Sequence, residues 1–291
     1  MLIGILTKER ALRNIIMEYN DVEIKNVSEY IKWVDDTHRF CNSDKVIFCK
    51  ENIYYRGQAS KDWGLSPSVF RENYNEFELL YKARKRLHNQ LTQFNYILDK
   101  IIYLQHYGLP TRLLDISYNP LVALYFSCLN HNNPRESKDG VVYYGYKREQ
   151  SDSMQIAEDI AKIMFKENNI LCILNEPSKF GNYGVEDFLH PLIVNPSYSN
   201  PRIERQKGAF IMAQLIYKDR YNEYVPFKGT LEDGLFSMNR AIIKECYKSH
   251  ILKDLSSFGI DGGTLFLEPS DITKAIVMED IWKIENDIRY E

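Results

Sequence analysis

Glycine and proline are scarce in this 291-residue chain, at 14 and 10. No low-complexity tract and no long Gly/Ser/Pro linker interrupts it, which excludes a beads-on-string organisation and predicts one continuous domain. Cysteine is sparse and unpaired in pattern: positions 41, 49, 128, 172 and 246 form an odd set with no C-x-x-C pair. A disulfide framework or a zinc knuckle is excluded on that spacing, and a reducing cytoplasm is the expected location. Charge of one sign is missing too. Lys and Arg total 37 against 40 Asp and Glu, a net charge of -3, so the chain is no broadly basic nucleic-acid coat, although a local basic patch remains compatible. No apolar run approaches the ~18 residues of a membrane span. The opening MLIGIL, followed by TKER, has too short an apolar stretch for a secretory signal and carries its charges on the wrong side.

What is present is ordinary globular arithmetic, with 44% hydrophobic and 26% charged residues, enough to bury a core without covalent staples. Tyrosine stands out, with 21 copies beside 14 Phe and 3 Trp. Two readings are open: a compositional bias shared with Ile, Asn and Lys, absorbed by core and interface roles, or a surface that stacks rings on nucleotides or bases.

Periodicity predicts a helix from about Ser28, as N-cap, to Phe40, with Ile31 and Val34 in its apolar stripe. Lys45 to Tyr55 reads as strand, stopping at Arg56-Gly57-Gln58, where the glycine permits a turn. From Glu76 to about Gln105, Leu80, Leu87, Leu91, Phe94, Leu98 and Ile101 recur as a core-facing stripe, which predicts one long helix. Lys82, Arg84, Lys85 and Arg86 crowd its first half, as a solvated face does. Gly108 and Pro110 end that helix. Asn119-Pro120 restarts another, Asn as N-cap and Pro at the first helical position, and Leu121 to Leu129 is apolar on nearly every side and must be buried. The N-terminus of this second helix, if uncovered, is an anion site.

The second half predicts strands at Val141–Tyr146, Ile170–Leu174, Leu192–Val194, Ala209–Tyr217, Arg240–Ile243 and Thr264–Leu267. Helices are expected near Ile156–Phe165, Lys244–Phe258 and Ser270–Ile281. The class is α+β, a mixed, largely antiparallel sheet with flanking helices. A helical lead-in is expected over 1–44 and the α+β domain over 45–285.

The common catalytic signatures are missing: no G-x-G-x-x-G, P-loop, G-x-S-x-G or H-E-x-x-H occurs, against Rossmann, NTPase, esterase and zincin readings. The histidines at 38, 88, 106, 131, 190 and 250 show no ligand spacing, so no metal is expected. Three polar clusters remain. In Tyr54-Tyr55-Arg56-Gly57-Gln58 a guanidinium suits bidentate phosphate or carboxylate binding beside a glycine that lets a ligand approach the backbone; a buried structural ion pair explains the arginine equally well. In Gln105-His106-Tyr107-Gly108 and Thr111-Arg112-Leu113-Leu114-Asp115 charges sit among leucines, so an Arg112–Asp115 or Arg56–Asp115 bridge is expected. The functional alternative puts His106 and Arg112 on a ligand beside the helix at Pro120. In Asn200-Pro201-Arg202-Ile203-Glu204-Arg205-Gln206, strand geometry would turn Glu204 and Gln206 to one face, where they could hold a ribose hydroxyl. A plain turn leading into a strand accounts for the same residues.

Taken in this order, the clusters resemble the FRG-domain family, named for an aromatic-Arg-Gly motif, here Tyr55-Arg56-Gly57. The resemblance continues through Trp63-x-Leu65-x-Pro67-Ser68, Arg71 and Glu78, and is densest over LQHYGLPTRLLDISYNPLVALYF (104–126). It extends to Arg202-Ile203, Gln206-x-Gly208-Ala209-Phe210, Ile251-Leu252, Gly259-Ile260 and Thr264-Leu265-Phe266. Ile116 stands where an aromatic residue is usual.

The resemblance implies a bacterial or phage-borne protein with a role in antiphage defence or as a toxin. One implied activity is that of an ADP-ribosyltransferase-like enzyme using NAD as substrate. Arg56 would hold the dinucleotide phosphates, assisted by Gly57, Gln58 and Arg112. His106 or Thr111 would sit near the nicotinamide ribose, Tyr55 or Tyr107 would stack on the ring, and Glu204 or Gln206 would be the late-strand polar group. Glu204-x-Gln206 lacks a carboxylate at its second position, and no Ser-Thr-Ser element is present. The alternative is a non-catalytic module that senses a nucleotide, a nucleic acid or a phage protein. The acceptor, or the partner, is left open.

Overall fold

The computed structural model describes residues 20–43, 53–72, 74–129, 138–146, 153–166, 188–196, 200–221, 223–231, 235–266 and 268. The expected strand at 170–174 and helix at 270–281 lie outside them, as does the 45–52 part of the first strand. Among the described residues no helix is long and apolar enough to cross a membrane.

The first described element is strand β1 (Asn20–Ile24), followed by helix α1 (Val27–Ser43). The cap of α1 is not Ser28 but Asn26, whose side chain accepts from Glu29 N at 2.9 Å. Ile31 is 52% exposed, contrary to the expected stripe. Val27, Tyr30, Trp33 and Val34 form the buried face instead, because the helix is in register with its aromatic residues rather than with Ile31.

Strand β2 (Ile53–Gln58) does not stop at Arg56-Gly57 but runs through them. Short helix α2 (Ser68–Arg71) follows. The long helix expected over 76–105 is three pieces, α3 (Glu76–Arg86), α4 (His88–Leu91) and α5 (Ile97–His106). Its stripe is buried all the same: Leu80, Leu91, Phe94, Leu98 and Ile101 are in the core. The breaks at Leu87 and at 92–96 re-aim each piece, a change that a count of apolar spacings does not register. Gly108 then takes φ +90, the left-handed turn that ends α5.

After strand β3 (Leu113–Ser117), helix α6 (Pro120–Cys128) forms as expected, and the Asn119 side chain accepts from Leu121 N at 3.0 Å. Strand β4 (Gly140–Tyr146), helix α7 (Ser153–Lys166) and strand β5 (Leu192–Val194) match expectation closely. Residues 201–205 are helix α8 (Pro201–Arg205), not strand. Asn200 caps it through Arg202 N at 2.8 Å, the same Asn-Pro start as in α6. The strand expected over 209–217 is two, β6 (Gly208–Met212) and β7 (Ile216–Lys218). Strand β8 (Tyr224–Pro226) pairs with β7 in a small hairpin. Strand β9 (Asn239–Ile243), helix α9 (Glu245–Ser257) and helix α10 (Gly262–Leu265) complete the described elements. The expected strand at 264–267 is replaced by α10 because Asp261 and Thr264 make a reciprocal capping box.

The main sheet has seven strands in the order β1-β9-β4-β2-β3-β6-β5. Only β1 with β9 is parallel; the other ladders are antiparallel. The class is α+β with a mixed, mostly antiparallel sheet. Alternation along the strands divides the core between its two faces. On one face Tyr55, Val142, Tyr144, Ala241 and Ile243 pack under α1, α6 and α9, and Leu113, Phe210 and Met212 under α3, α5 and α7. On the other, Tyr54, Leu114, Ile116, Tyr143 and Ile211 meet Leu65, Leu231 and Phe236.

The sheet is not evenly knitted. Strand β2 pairs with β4 from Ile53↔Tyr146 through Gln58↔Val141, but with β3 only at Tyr55↔Ser117. Beyond that pair β2 and β3 part.

Candidate functional site

The opening between β2 and β3 is a cleft of about 800 Å³, within the range of roughly 300–1,000 Å³ typical of ligand sites. Strand β2 and the residues after it supply Tyr55 to Ala59, strand β3 supplies Asp115, Ile116 and Ser117, and helix α6 supplies Val122, Ala123 and Phe126. The loop before α2 adds Asp62, Trp63, Gly64 and Ser66, with Arg71, Arg202, Gln206 and Thr230 completing the wall. A smaller cavity of about 190 Å³ shares Asp115, Ile116, Arg202 and Gln206 with it, and extends to Gln105, His106 and Phe210.

Gly57 sets the floor. A Cβ there would stand 1.8 Å from the Ala123 carbonyl oxygen, so the glycine is required by the close approach of α6 and not by a turn. With α6 held this near, Val122, Ala123 and Phe126 become cleft wall.

Arg56 is the central cation. One of its terminal nitrogens donates to the Asp115 carbonyl at 2.6 Å, a backbone acceptor that the parted ladder has left unpaired. Its Nε is buried with no partner among the described residues. The expected Arg56–Asp115 carboxylate bridge is therefore not formed; the bond goes to the main chain. Burial, together with the like charge of Arg71, lowers the Arg56 guanidinium to about 10 against the opposing pull of Asp115. It still carries its charge at neutral pH. Arg71 donates to Ser66 O at 2.9 Å, and Arg202 stacks its guanidinium 5.0 Å from the Phe266 ring. Three arginines thus border one cleft.

Arg112 is elsewhere. It is 3% exposed and forms a buried pair with Glu76, Nη2 to Oε2 at 2.7 Å and Nε to Oε2 at 2.9 Å. Its backbone N–H also donates to Glu76 Oε1. The expected Arg112–Asp115 bridge is thereby corrected: three residues apart along extended chain, the two side chains point to opposite faces, and the partner comes from α3. Thr111 is fully buried, with its hydroxyl on the Gln105 amide oxygen, and lines neither cavity. Tyr55 is buried and shares a 2.7 Å hydrogen bond with His38 Nε2, so its ring faces the α1 side and only part of the residue borders the cleft. Tyr107 is 59% exposed and packs against Tyr103 and His106 outside both cavities.

Of the other expected residues, Gln58 borders the large cleft, its amide donating to Gly64 O while its Oε1 has no partner among the described residues. His106 lines the small cavity and meets Glu268 at 3.2 Å. Glu204 and Gln206 do not share a strand face, since α8 replaces the strand. Glu204 is exposed and outside both cavities, whereas Gln206 lines both and donates to Leu265 O at 3.2 Å.

Sequence reasoning missed Arg202 as a site residue, although the repeated Asn-Pro start at 200–201 was a readable sign of the helix that aims it. It also missed as a site residue Trp63, 42% exposed in the cleft wall, although Trp63-x-Leu65-x-Pro67-Ser68 was among the motifs that carry the family resemblance. Asp115 was legible only as a charge in need of a partner. The structure makes it an exposed carboxylate facing both cavities, oriented by a 3.0 Å bond from Gln105 Nε2 to Oδ1.

No curated protein and no solved structure matches the chain. The family model for the FRG domain matches residues 51–136, a span that holds β2, β3, α6 and all of the large cleft's lining except Arg202, Gln206 and Thr230. Over those residues the chain is similar to the FRG domain.

Proposed function

We propose that the cleft binds the diphosphate of a dinucleotide, NAD, and that the protein is an ADP-ribosyltransferase-like enzyme. The observation that carries this reading is Arg56: a half-buried guanidinium whose buried Nε is unpaired among the described residues and which has no carboxylate in ion-pair contact there, in a cleft also bordered by Arg71 and Arg202. A buried donor without an acceptor is costly, and a phosphate is the bidentate acceptor that the fork geometry matches. The volume accommodates far more than an inorganic anion. Trp63 in the cleft wall, in place of Tyr55 or Tyr107, offers the ring on which a base can stack. Chemistry would consist of releasing nicotinamide through an oxocarbenium-like transition state stabilised by fixed charge. NAD consumption would suit the defence or toxin role that the family resemblance implies.

A second reading is a nucleotide sensor without chemistry, favoured by one observation: Glu204, the carboxylate expected near the ribose, lies off the cleft. Incubating purified protein with NAD and following free nicotinamide by chromatography, beside a direct binding titration, separates the two. The enzyme reading expects release. Arg56→Ala should weaken NAD binding about 10- to 100-fold, the equivalent of the ~1.5–3 kcal/mol of a hydrogen bond to a charged group, while its circular dichroism stays that of the folded protein. Binding without release would identify the sensor. Neither binding nor release would refute both.

A further inference from the structure

We infer that Asp115 is the carboxylate that activates the acceptor, and that the small cavity beside it receives an uncharged hydroxyl nucleophile, water included. The inference rests on the NAD reading of the large cleft and adds to it the group that serves the second substrate.

Four observations converge on this residue. Asp115 borders both cavities, so it stands where their contents meet. It is exposed, and among the described residues no Lys, Arg or His lies within ion-pair distance of its carboxylate. Even Arg56, the nearest cation, donates to its main-chain oxygen. Yet the side chain is not left to solvent. Gln105 Nε2 holds Oδ1 at 3.0 Å, and the orientation of that amide is itself fixed by the Thr111 hydroxyl on its oxygen. Thr111 is anchored in turn, its N–H donating to Ser68 Oγ at 3.2 Å. An exposed aspartate ordinarily gains nothing from being ordered, because water satisfies it. A relay of three side chains that fixes one carboxylate oxygen and leaves the other without a hydrogen bond among the described residues is the arrangement of a positioned base.

The chemistry of the small cavity selects the nucleophile. Arg202 on its wall disfavours a cationic acceptor and Asp115 an anionic one, while the rest mixes apolar Ile102, Ile203 and Phe210 with the hydrogen-bonding side chains of Gln105, His106 and Gln206. A neutral hydroxyl fits, and at about 190 Å³ the space takes one small group rather than a second nucleotide. In the reaction the bond from ribose C1′ to the nicotinamide nitrogen breaks, its electron pair leaving with neutral nicotinamide. The acceptor oxygen bonds to C1′, and its proton passes to the free oxygen of Asp115 and on to solvent. No further reactant is required.

The test uses the full chain, with NAD as the probe and nicotinamide release and NAD binding read separately. Asp115→Asn keeps the shape and the Gln105 contact region but removes the base; release should fall about 10²–10⁴-fold, the usual contribution of a positioned acid or base, with NAD affinity within twofold of wild type. Asp115→Ala opens room for a small carboxylate, and added formate should restore part of its release rate while leaving the wild type unaffected. Gln105→Leu should reduce release with little change in KM, as expected of a positioning residue. Unchanged release in Asp115→Asn would overturn the inference and leave the NAD reading standing. Loss of NAD binding in that variant would also overturn it, by making Asp115 a part of the binding site. Failure of the wild type to bind or cleave NAD would instead remove the reading on which it rests.

Discussion

Replacing Gly57 with alanine asks whether the close approach of β2 to α6 is as rigid as the geometry makes it. The added Cβ would lie 1.8 Å from the Ala123 carbonyl oxygen, 2.8 Å from the Ala123 carbonyl carbon and 2.9 Å from Ser127 N. All three are main-chain atoms of a helix, so no rotamer change relieves them. Ordinary contact begins near 3.4 Å, and the helix would have to retreat by about 1.6 Å. Helix α6 is buried along nearly its whole length through Val122, Ala123, Leu124, Tyr125 and Cys128, and close-packed interiors do not give by that distance without opening voids. The expected cost is about 3 kcal/mol, the upper end for overpacking. For a chain of this size that corresponds to roughly 6–12 °C in Tm. Urea unfolding of the variant beside Gly259→Ala makes the comparison clean: Gly259 has φ +74 and open space around its position, so alanine there costs only about 1 kcal/mol through backbone strain. A Gly57→Ala protein within about 0.5 kcal/mol of wild type, the spread of an ordinary surface change, would refute the close-approach argument and restore the turn reading.

The buried Arg112–Glu76 pair gives a second expectation. Glu76→Gln leaves the guanidinium uncompensated at 3% exposure and should destabilise by about 3–5 kcal/mol, read by urea unfolding; a double replacement, Glu76→Leu with Arg112→Met, should recover much of that loss. A third concerns Lys248, buried at 1% exposure with Nζ donating to Ala59 O at 2.7 Å. Burial lowers its ammonium from 10.5 to about 8, against the opposing pull of Cys128 and Asp139. The unfolded chain therefore binds more protons between pH 8 and 10.5, and the contribution of this residue to stability should rise with pH across that window. The stability of wild type relative to Lys248→Met should therefore rise as pH increases from 8 to 10; a difference that stays constant would contradict the assignment.

Much of the fold was legible in local pattern. The α6 start at Asn119-Pro120, the β4 strand, α7, β5, β9 and α9 follow from capping, from periodicity or from a short unbroken apolar run, because each is a local pattern with one matching element. The failures have specific physical causes. The 76–105 stripe is continuous in spacing while the backbone breaks twice, and a count of apolar spacings does not register where a helix is interrupted. At 200–206 either a strand reaching back from 209 or a turn leading into it fitted the pattern, and the Asn-Pro cap made a short helix instead. At the site, Arg56 was readable because a charge beside an aromatic strand demands an explanation. The roles of Arg112 and Asp115 were not, because a sequence shows that a charge needs a partner and not which one: Glu76, distant along the chain, took Arg112 and left Asp115 to the cleft.

That exchange bears on why the site lies where it does. An antiparallel ladder carried from Tyr55↔Ser117 toward Gln58 would have satisfied the Asp115 carbonyl through the main chain of β2, and left no room for a ligand. The strands part instead, and the Arg56 side chain supplies the missing donor at 2.6 Å. A main-chain carbonyl that loses its ladder donor forfeits a hydrogen bond, and the arginine restores one at the gap that it also lines. Its remaining Nε then has no acceptor among the described residues. The opening in the sheet and the unpaired Nε inside it are thus one structural feature, and on the proposed reading a ligand bearing phosphate oxygens would complete the hydrogen bonding that the parted ladder left unfinished. Arg56→Lys separates these duties: a single ammonium can reach either the carbonyl or the phosphate but lacks the second arm of the fork, so binding should weaken more than stability does.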